Sequence, residues 1–308
     1  MKKFKKILIS LFLMVFIALG FVGNYFYNFA LNPKVDKSSI VSQDSDGVVD
    51  EYFETSKKWF NDNKKELNMK SVTQSELTGY LFENNKSKKF VVVVHGYTSS
   101  AENMATYIKS FYDLGYNVFA PDLLAHGKSQ GDFYTMGGID SEDLANWIKK
   151  ISEENNKPDI ALFGISMGAA TVMNVLDNNL PINVKVVMED SGYVDLDKQF
   201  KYQLKKLFGL PSFPIINSAS TVAKIRAGYF ISDVNATDAL KNNKLPMLIL
   251  HGEQDGFVPF EHAKDAYELV SSKKEFHSFK DAKHVKAERM YREQYWNIVS
   301  RFLDENFK

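Results

Sequence analysis

The chain has 308 residues, 44% hydrophobic and 25% charged, which is enough apolar material for one large α/β domain or two small ones and excludes global disorder. Lysine plus arginine and aspartate plus glutamate both number 38, so the balance leaves no electrostatic footprint for nucleic acid. The lack of cysteine removes disulfides, thiolate catalysis and a lipoprotein-type anchor, and it fits work outside the cytoplasm without oxidative folding.

Residues 1–31 differ from the rest. Lys2, Lys3, Lys5 and Lys6 precede an uncharged run from Ile7 to Gly23, and the aromatic cluster Tyr25, Phe26, Tyr27 and Phe29 follows. The charges predict a cytoplasmic N-terminus, and the aromatics suit the far membrane interface. Two readings fit this segment, a cleaved signal peptide or an uncleaved signal anchor. Large apolar residues around Ala18 and Gly20 make a poor cleavage site, which favours the anchor. Either way the rest of the chain is expected outside the membrane. Residues 32–71 read as a tether, with a loop at Asp44-Ser45-Asp46-Gly47, and a helix carrying Tyr52, Phe53, Trp59 and Phe60 that packs on the domain. Val72–Glu83 reads as a strand or hairpin, and the catalytic domain is assigned to residues 72–308.

A strand–helix rhythm follows. Phe90–Val94 is a β-branched run suited to a strand covered on both faces. Ser99-x-x-Glu102 predicts a capping box ahead of a helix whose Met104, Tyr107, Ile108 and Phe111 share a face. Further strands are expected at 116–120, 160–165, 184–188, 245–250 and 275–279. The roughly fifty residues after Asp195 carry their own amphipathic helix (Phe200, Leu204, Leu207, Phe208) and read as a helical cap over about 195–240. Ligands bind at the carboxyl edge of such open sheets, where this cap would lie. The cap's aromatics are read as packing against the core.

Three places carry chemistry. Gly164-Ile165-Ser166-Met167-Gly168 sits between a strand and a helix, a turn that lifts a serine clear of its sheet and aims the Met167 N–H at a developing oxyanion. A serine needs a base, and the base an orienting acid. The acid is Asp255, presented after a strand by His251-Gly252-Glu253-Gln254-Asp255; Asp190 and Asp195 are the rivals. The base is His284 in the loop after the last strand. His277, inside a strand, and His262, expected to be exposed at a helix start, are the rivals. His95, His126 and His251 read as shapers of strand-end turns. No His-x-x-x-His or His-Glu-x-x-His spacing and no phosphate-cradling glycine loop occurs, so no metal or nucleotide cofactor is expected.

These motifs, with His95-Gly96 after one strand and Asp122…His126-Gly127-x-Ser129 after the next, resemble the α/β-hydrolase superfamily over roughly residues 72–306. The N-terminal segment and Glu189-Asp190-Ser191-Gly192-Tyr193 resemble membrane-anchored extracytoplasmic hydrolases of Gram-positive bacteria. The resemblance implies an α/β-hydrolase fold, a mostly parallel doubly wound sheet with the helical cap between strands six and seven. It also implies a second oxyanion donor, the backbone N–H of Tyr97. The expected activity is hydrolysis of a carboxylic ester, thioester or amide of a small-molecule or lipid-like acyl group by a Ser166–His284–Asp255 triad. An acyltransferase or serine peptidase on the same triad, and an inactive surface binding protein on this scaffold, are the alternatives.

Overall fold

The computed structural model describes residues 2–41, 50–85 and 87–308. The Asp44–Gly47 loop expected from the sequence lies outside them. Helix α1 (Lys2–Leu31) is followed by the short α2 (Ser38–Val41) and by α3 (Glu51–Asn63). An eight-stranded sheet then forms in the order β1-β2-β4-β3-β5-β6-β7-β8. Its strands are β1 (Lys65–Lys70), β2 (Glu76–Phe82), β3 (Phe90–Val94), β4 (Asn117–Pro121), β5 (Ile160–Ile165), β6 (Val184–Asp190), β7 (Met247–Gly252) and β8 (Lys274–Phe279). β1 and β2 are antiparallel, and β2 runs antiparallel to β4; from β4 to β8 every pairing is parallel.

The central strands are buried along their whole length, because helices cover both faces and a period-two pattern would expose polar groups to apolar neighbours. The pleat sends alternate residues to opposite cores. Val92, Val94, Leu162, Val187 and Ile249 join one cluster with α5 (Ile139–Glu154), α6 (Met167–Asn174) and α10 (Glu261–Leu269). Val91, Val93, Phe163, Met188 and Leu248 join the other with α3, α4 (Ala105–Asp113) and α12 (Arg292–Asn306). Between β6 and β7 come α7 (Leu196–Phe208), α8 (Ile215–Ala227) and α9 (Thr237–Asn242), the expected cap. Asp195 caps α7 by accepting the Lys198 N–H at 3.1 Å, and Gly209 ends it at φ +66°. The short α11 (Ala287–Met290) precedes α12.

Three expectations are corrected. The sheet begins at Lys65, not Val72: β1 lies in the stretch read as tether because its exposed edge carries a polar sequence, Lys-Glu-Leu-Asn-Met-Lys. The Ser99–Glu102 capping box does not form. A 3-10 turn over Glu102–Met104 comes first, Asp122 Oδ1 accepts the Ala101 N–H at 2.8 Å, and Glu102 turns out to Asn61 at 2.6 Å. The aromatic cluster of α1, expected at a membrane interface, packs in part on the protein. Residues 3–18 are exposed, but Gly23, Tyr27 and Leu31 are buried against the protein.

Phe163, on the strand leading to the elbow, is sealed between Tyr107 and Phe111 at 5.4 and 5.3 Å between ring centroids. Phe163→Ala is expected to cost about 3–5 kcal/mol in urea unfolding, since the strand cannot move to fill the void. A loss under 1 kcal/mol, on the order of a surface substitution, would refute this packing.

Candidate active site

Ser166 stands at the β5–α6 turn with φ +53° and ψ −118°, a strained conformation that the surroundings must impose. They do so by close approach. A Cβ on Gly164 would lie 2.2 Å from the Gly168 carbonyl oxygen, and one on Gly168 would lie 2.2 Å from the Val94 oxygen. Only glycine lets the helix start press so tightly on two strands. The Ser166 N–H donates to the Asp190 carbonyl at 2.8 Å, which ties the elbow to the end of β6.

The structure brings the three sequence-predicted residues together. The Ser166 hydroxyl lies 2.9 Å from His284 Nε2, and His284 Nδ1 lies 2.7 Å from Asp255 Oδ2. Both partners are satisfied by one neutral tautomer: the hydroxyl donates to Nε2 while Nδ1–H donates to the carboxylate. Asp255 Oδ1 accepts the N–H groups of Phe257 and Val258, each at 2.8 Å. Burial alone would raise the Asp255 pKa, but His284 and His251 hold it below the usual carboxylate range, so it stays ionised.

The rivals are elsewhere. Asp190 accepts from Tyr295 Oη and Ser191 Oγ, both at 2.8 Å, and Asp195 caps α7. His277 sits on β8 beside Glu275 and Arg301. His262 corrects its expectation: it is 1% exposed, and its Nδ1 accepts the Val194 N–H at 3.4 Å. Burial and the Lys198 charge lower its pKa to about 4. Its position in α10 points inward because the cap's first loop folds over it.

Gly96 and Tyr97 lie against the serine; a Cβ on Gly96 would be 3.3 Å from Ser166 Cβ. The loop is pinned by two buried imidazoles that accept from backbone amides, His95 Nε2 from Leu123 at 3.0 Å and His126 Nε2 from Thr98 at 3.3 Å. Burial lowers both pKa values, and neutral rings are what such acceptance requires. Neither the Tyr97 N–H nor the Met167 N–H donates to a protein acceptor among the described residues.

An apolar cleft of about 820 Å³, part of it open to solvent, leads away from Ser166. No Asp, Glu, Lys, Arg or His is among its lining residues. The cap aromatics Phe200 and Phe208 pack against the core as expected, and they also form part of the cleft wall. The sequence reading also missed His251, whose Nε2 lies 3.3 Å from Asp255 Oδ2, so that two imidazoles flank one carboxylate. Its spacing four residues before the acid was the available signal. Gln199, buried in the cleft wall, donates through Nε2 to the Phe257 carbonyl at 2.7 Å, which leaves Oε1 without a hydrogen bond among the described residues.

Comparison with known proteins bears on the family and the fold. A family profile described as "Serine aminopeptidase, S33" matches residues 85–210. The Pyrococcus furiosus esterase Pf2001 superposes with a TM-score of 0.67 at 26% identity, covering 85% of this chain and 97% of that one. The uncharacterized protein YqkD of Bacillus subtilis is 26% identical over 304 residues, 97% of each chain. The lysophosphatidylserine lipase ABHD12 of Danio rerio is 26% identical over 204 residues, 63% of this chain and 50% of that protein. The chain has the α/β-hydrolase fold. It is similar to esterase- and lipase-like hydrolases of that fold.

Beneath the site Glu189 is wholly buried, with Oε2 accepting the Gly192 N–H at 2.9 Å and Oε1 unpaired among the described residues. Burial, opposed by His251 and aided by Asp190, raises its pKa to about 7. The native state therefore keeps a proton that the unfolded chain has released, and the stability this contributes is lost as pH rises through about 7. Glu189→Gln, which cannot ionise, should gain in melting temperature relative to the wild type between about pH 5 and pH 8. A pH-independent difference in thermal scans would contradict this assignment.

Proposed function

We propose that the protein is a serine hydrolase that cleaves a carboxylic ester of a lipid-like acyl group through an acyl-enzyme. The observation that carries this is the unbroken hydrogen-bonded line from Asp255 through His284 to Ser166, ending at an apolar cleft. Ser166 Oγ attacks the ester carbonyl as His284 Nε2 takes its proton, and the Asp255 carboxylate steadies the imidazolium. The oxyanion is received by the Tyr97 and Met167 amides. As the intermediate collapses, the C–O bond to the alcohol breaks and His284 returns the proton to the leaving oxygen. Water then repeats the sequence on the acyl-enzyme, releasing the acid and restoring the serine.

An ester is favoured over a peptide because no charged side chain lines the cleft to pair with a peptide terminus. The exposed apolar helix α1 is assigned as a membrane anchor, with the sheet and cap outside the cytoplasm as the catalytic domain.

A fluorophosphonate probe should label the wild type and leave Ser166→Ala unlabelled; equal labelling removes Ser166 as nucleophile. On a chromogenic ester, Asp255→Asn should lower kcat by about 10⁴-fold, because the imidazole loses its orienting acceptor. A drop of less than about tenfold would assign the acid elsewhere.

A further inference from the structure

The cleft that starts at Ser166 is not walled by the cap alone. Phe26, Phe29, Ala30 and Leu31, in the last two turns of α1, line it together with Phe200 and Phe208. The ring of Phe208 meets those of Phe26 and Phe29 edge to face, at 5.2 and 5.1 Å between centroids. The contact is seated rather than incidental. A Cβ on Gly23 would fall 2.6 Å from the backbone carbonyl of Ser218 in α8, so the two helices touch backbone to backbone. Arg226 of α8 donates to Asn24 Oδ1 and Asn28 Oδ1 at 2.9 and 3.0 Å and lies over the Tyr27 ring. Tyr97, proposed above as an oxyanion donor, donates its hydroxyl to the Ala30 carbonyl at 2.6 Å, and the Tyr134 N–H donates to the Leu31 carbonyl at 2.8 Å. The end of α1 is thus tied to the loop beside the nucleophile.

We propose that the C-terminal end of α1 is part of the acyl-binding site, with Phe26, Phe29 and Ala30 setting the length of the linear hydrocarbon chain it accepts. The inference rests on the reading of this site as one that holds an acyl group. A chain lying between α1 and α7 is shielded from water on both sides, and each methylene buried there adds to binding at the rate typical of apolar contact. The aromatic edges also make the wall rigid, so that it selects by length rather than by yielding.

The test uses the full-length chain held in amphipol. Hydrolysis of p-nitrophenyl esters from acetate to palmitate gives the chain-length optimum. Binding of a dansylated undecanoic acid to the Ser166→Ala protein gives affinity without turnover. Ala30→Phe should move the optimum to shorter chains and weaken the dansyl probe. Phe26→Ala with Phe29→Ala should move it to longer chains and lower kcat/KM at the wild-type optimum by about tenfold. Phe21→Ala, 73% exposed on the same helix, should leave both readouts unchanged. A merely destabilised protein would lose every chain length alike. Unmoved optima and unmoved probe binding in both cleft variants overturn the proposal, even where the wild type is labelled and active. Shifted probe binding in a wild type that neither turns over esters nor takes the fluorophosphonate leaves this wall in place and overturns the hydrolase reading instead.

Discussion

The site depends on one constraint: four parallel strands lie side by side, so the chain leaves each of them at the same edge. β5, β6, β7 and β8 are neighbours in the sheet, with Ile165 level with Asp190, Asp190 with Leu250, and Gly252 with Phe279. The next residues along β5, β7 and β8 are those that carry Ser166, Asp255 and His284. Residues separated by more than a hundred positions therefore meet within hydrogen-bonding distance because the ladder hydrogen bonds fix the register. Any slip of one residue would turn the inward side chains to the opposite face and separate them.

The same edge concentrates buried charge. Glu189, Asp190, His251 and Asp255 all end strands or follow them, and all are removed from water. Two outcomes follow from the partners each has. Asp255 has two imidazoles and two amides, so its charged form is favoured despite burial. Glu189 has one amide and a more distant imidazole, so burial prevails and its pKa rises. The elbow is thus underlaid by one carboxyl whose protonated form burial favours and one whose ionised form its partners favour, and the latter is bonded to His284.

Much of this is visible in the residue pattern, for a physical reason. Strands buried on both faces, such as Phe90–Val94 and Ile160–Ile165, are continuous apolar runs, and the turn after β5 demands glycine at positions 164 and 168 whatever the rest of the protein does. Local constraints of that kind can be read from a sequence. β1 could not be, because one side of it is an edge facing water and its residues are polar. Neither could the inward turn of His262 or the place of Phe200 and Phe208 in the cleft wall, since a helix face is the same whether the surface it meets is core or cleft. What covers a helix is decided by tertiary packing, and here the deciding partner of the cap is α1, more than a hundred and sixty residues earlier in the chain.

That partnership also sets the distance between the enzyme and a bilayer, if α1 spans one as proposed. The apolar run from Ile7 to Gly23 is about 25 Å long as a helix, slightly less than a hydrocarbon core of about 30 Å. Gly23 is already buried against Ser218, so no free turn of helix separates the lipid from the cap. The helix is continuous from Lys2 to Leu31, which makes the connection a rigid one rather than a tether. The polar contacts of Asn24 and Asn28 with Arg226, and of the Asn28 carbonyl with Lys37 Nζ at 3.0 Å, would then come at the level where headgroups and water replace hydrocarbon. Gly23 and Arg226 meet α8 and α1 in the same sense, so the two helices run in parallel and the α7–α8 loop, with Phe213 75% exposed, lies toward the apolar end of α1. A cleft fixed in this way would not drift from a bilayer that α1 spans, and its apolar wall would begin where the membrane's own apolar phase ends.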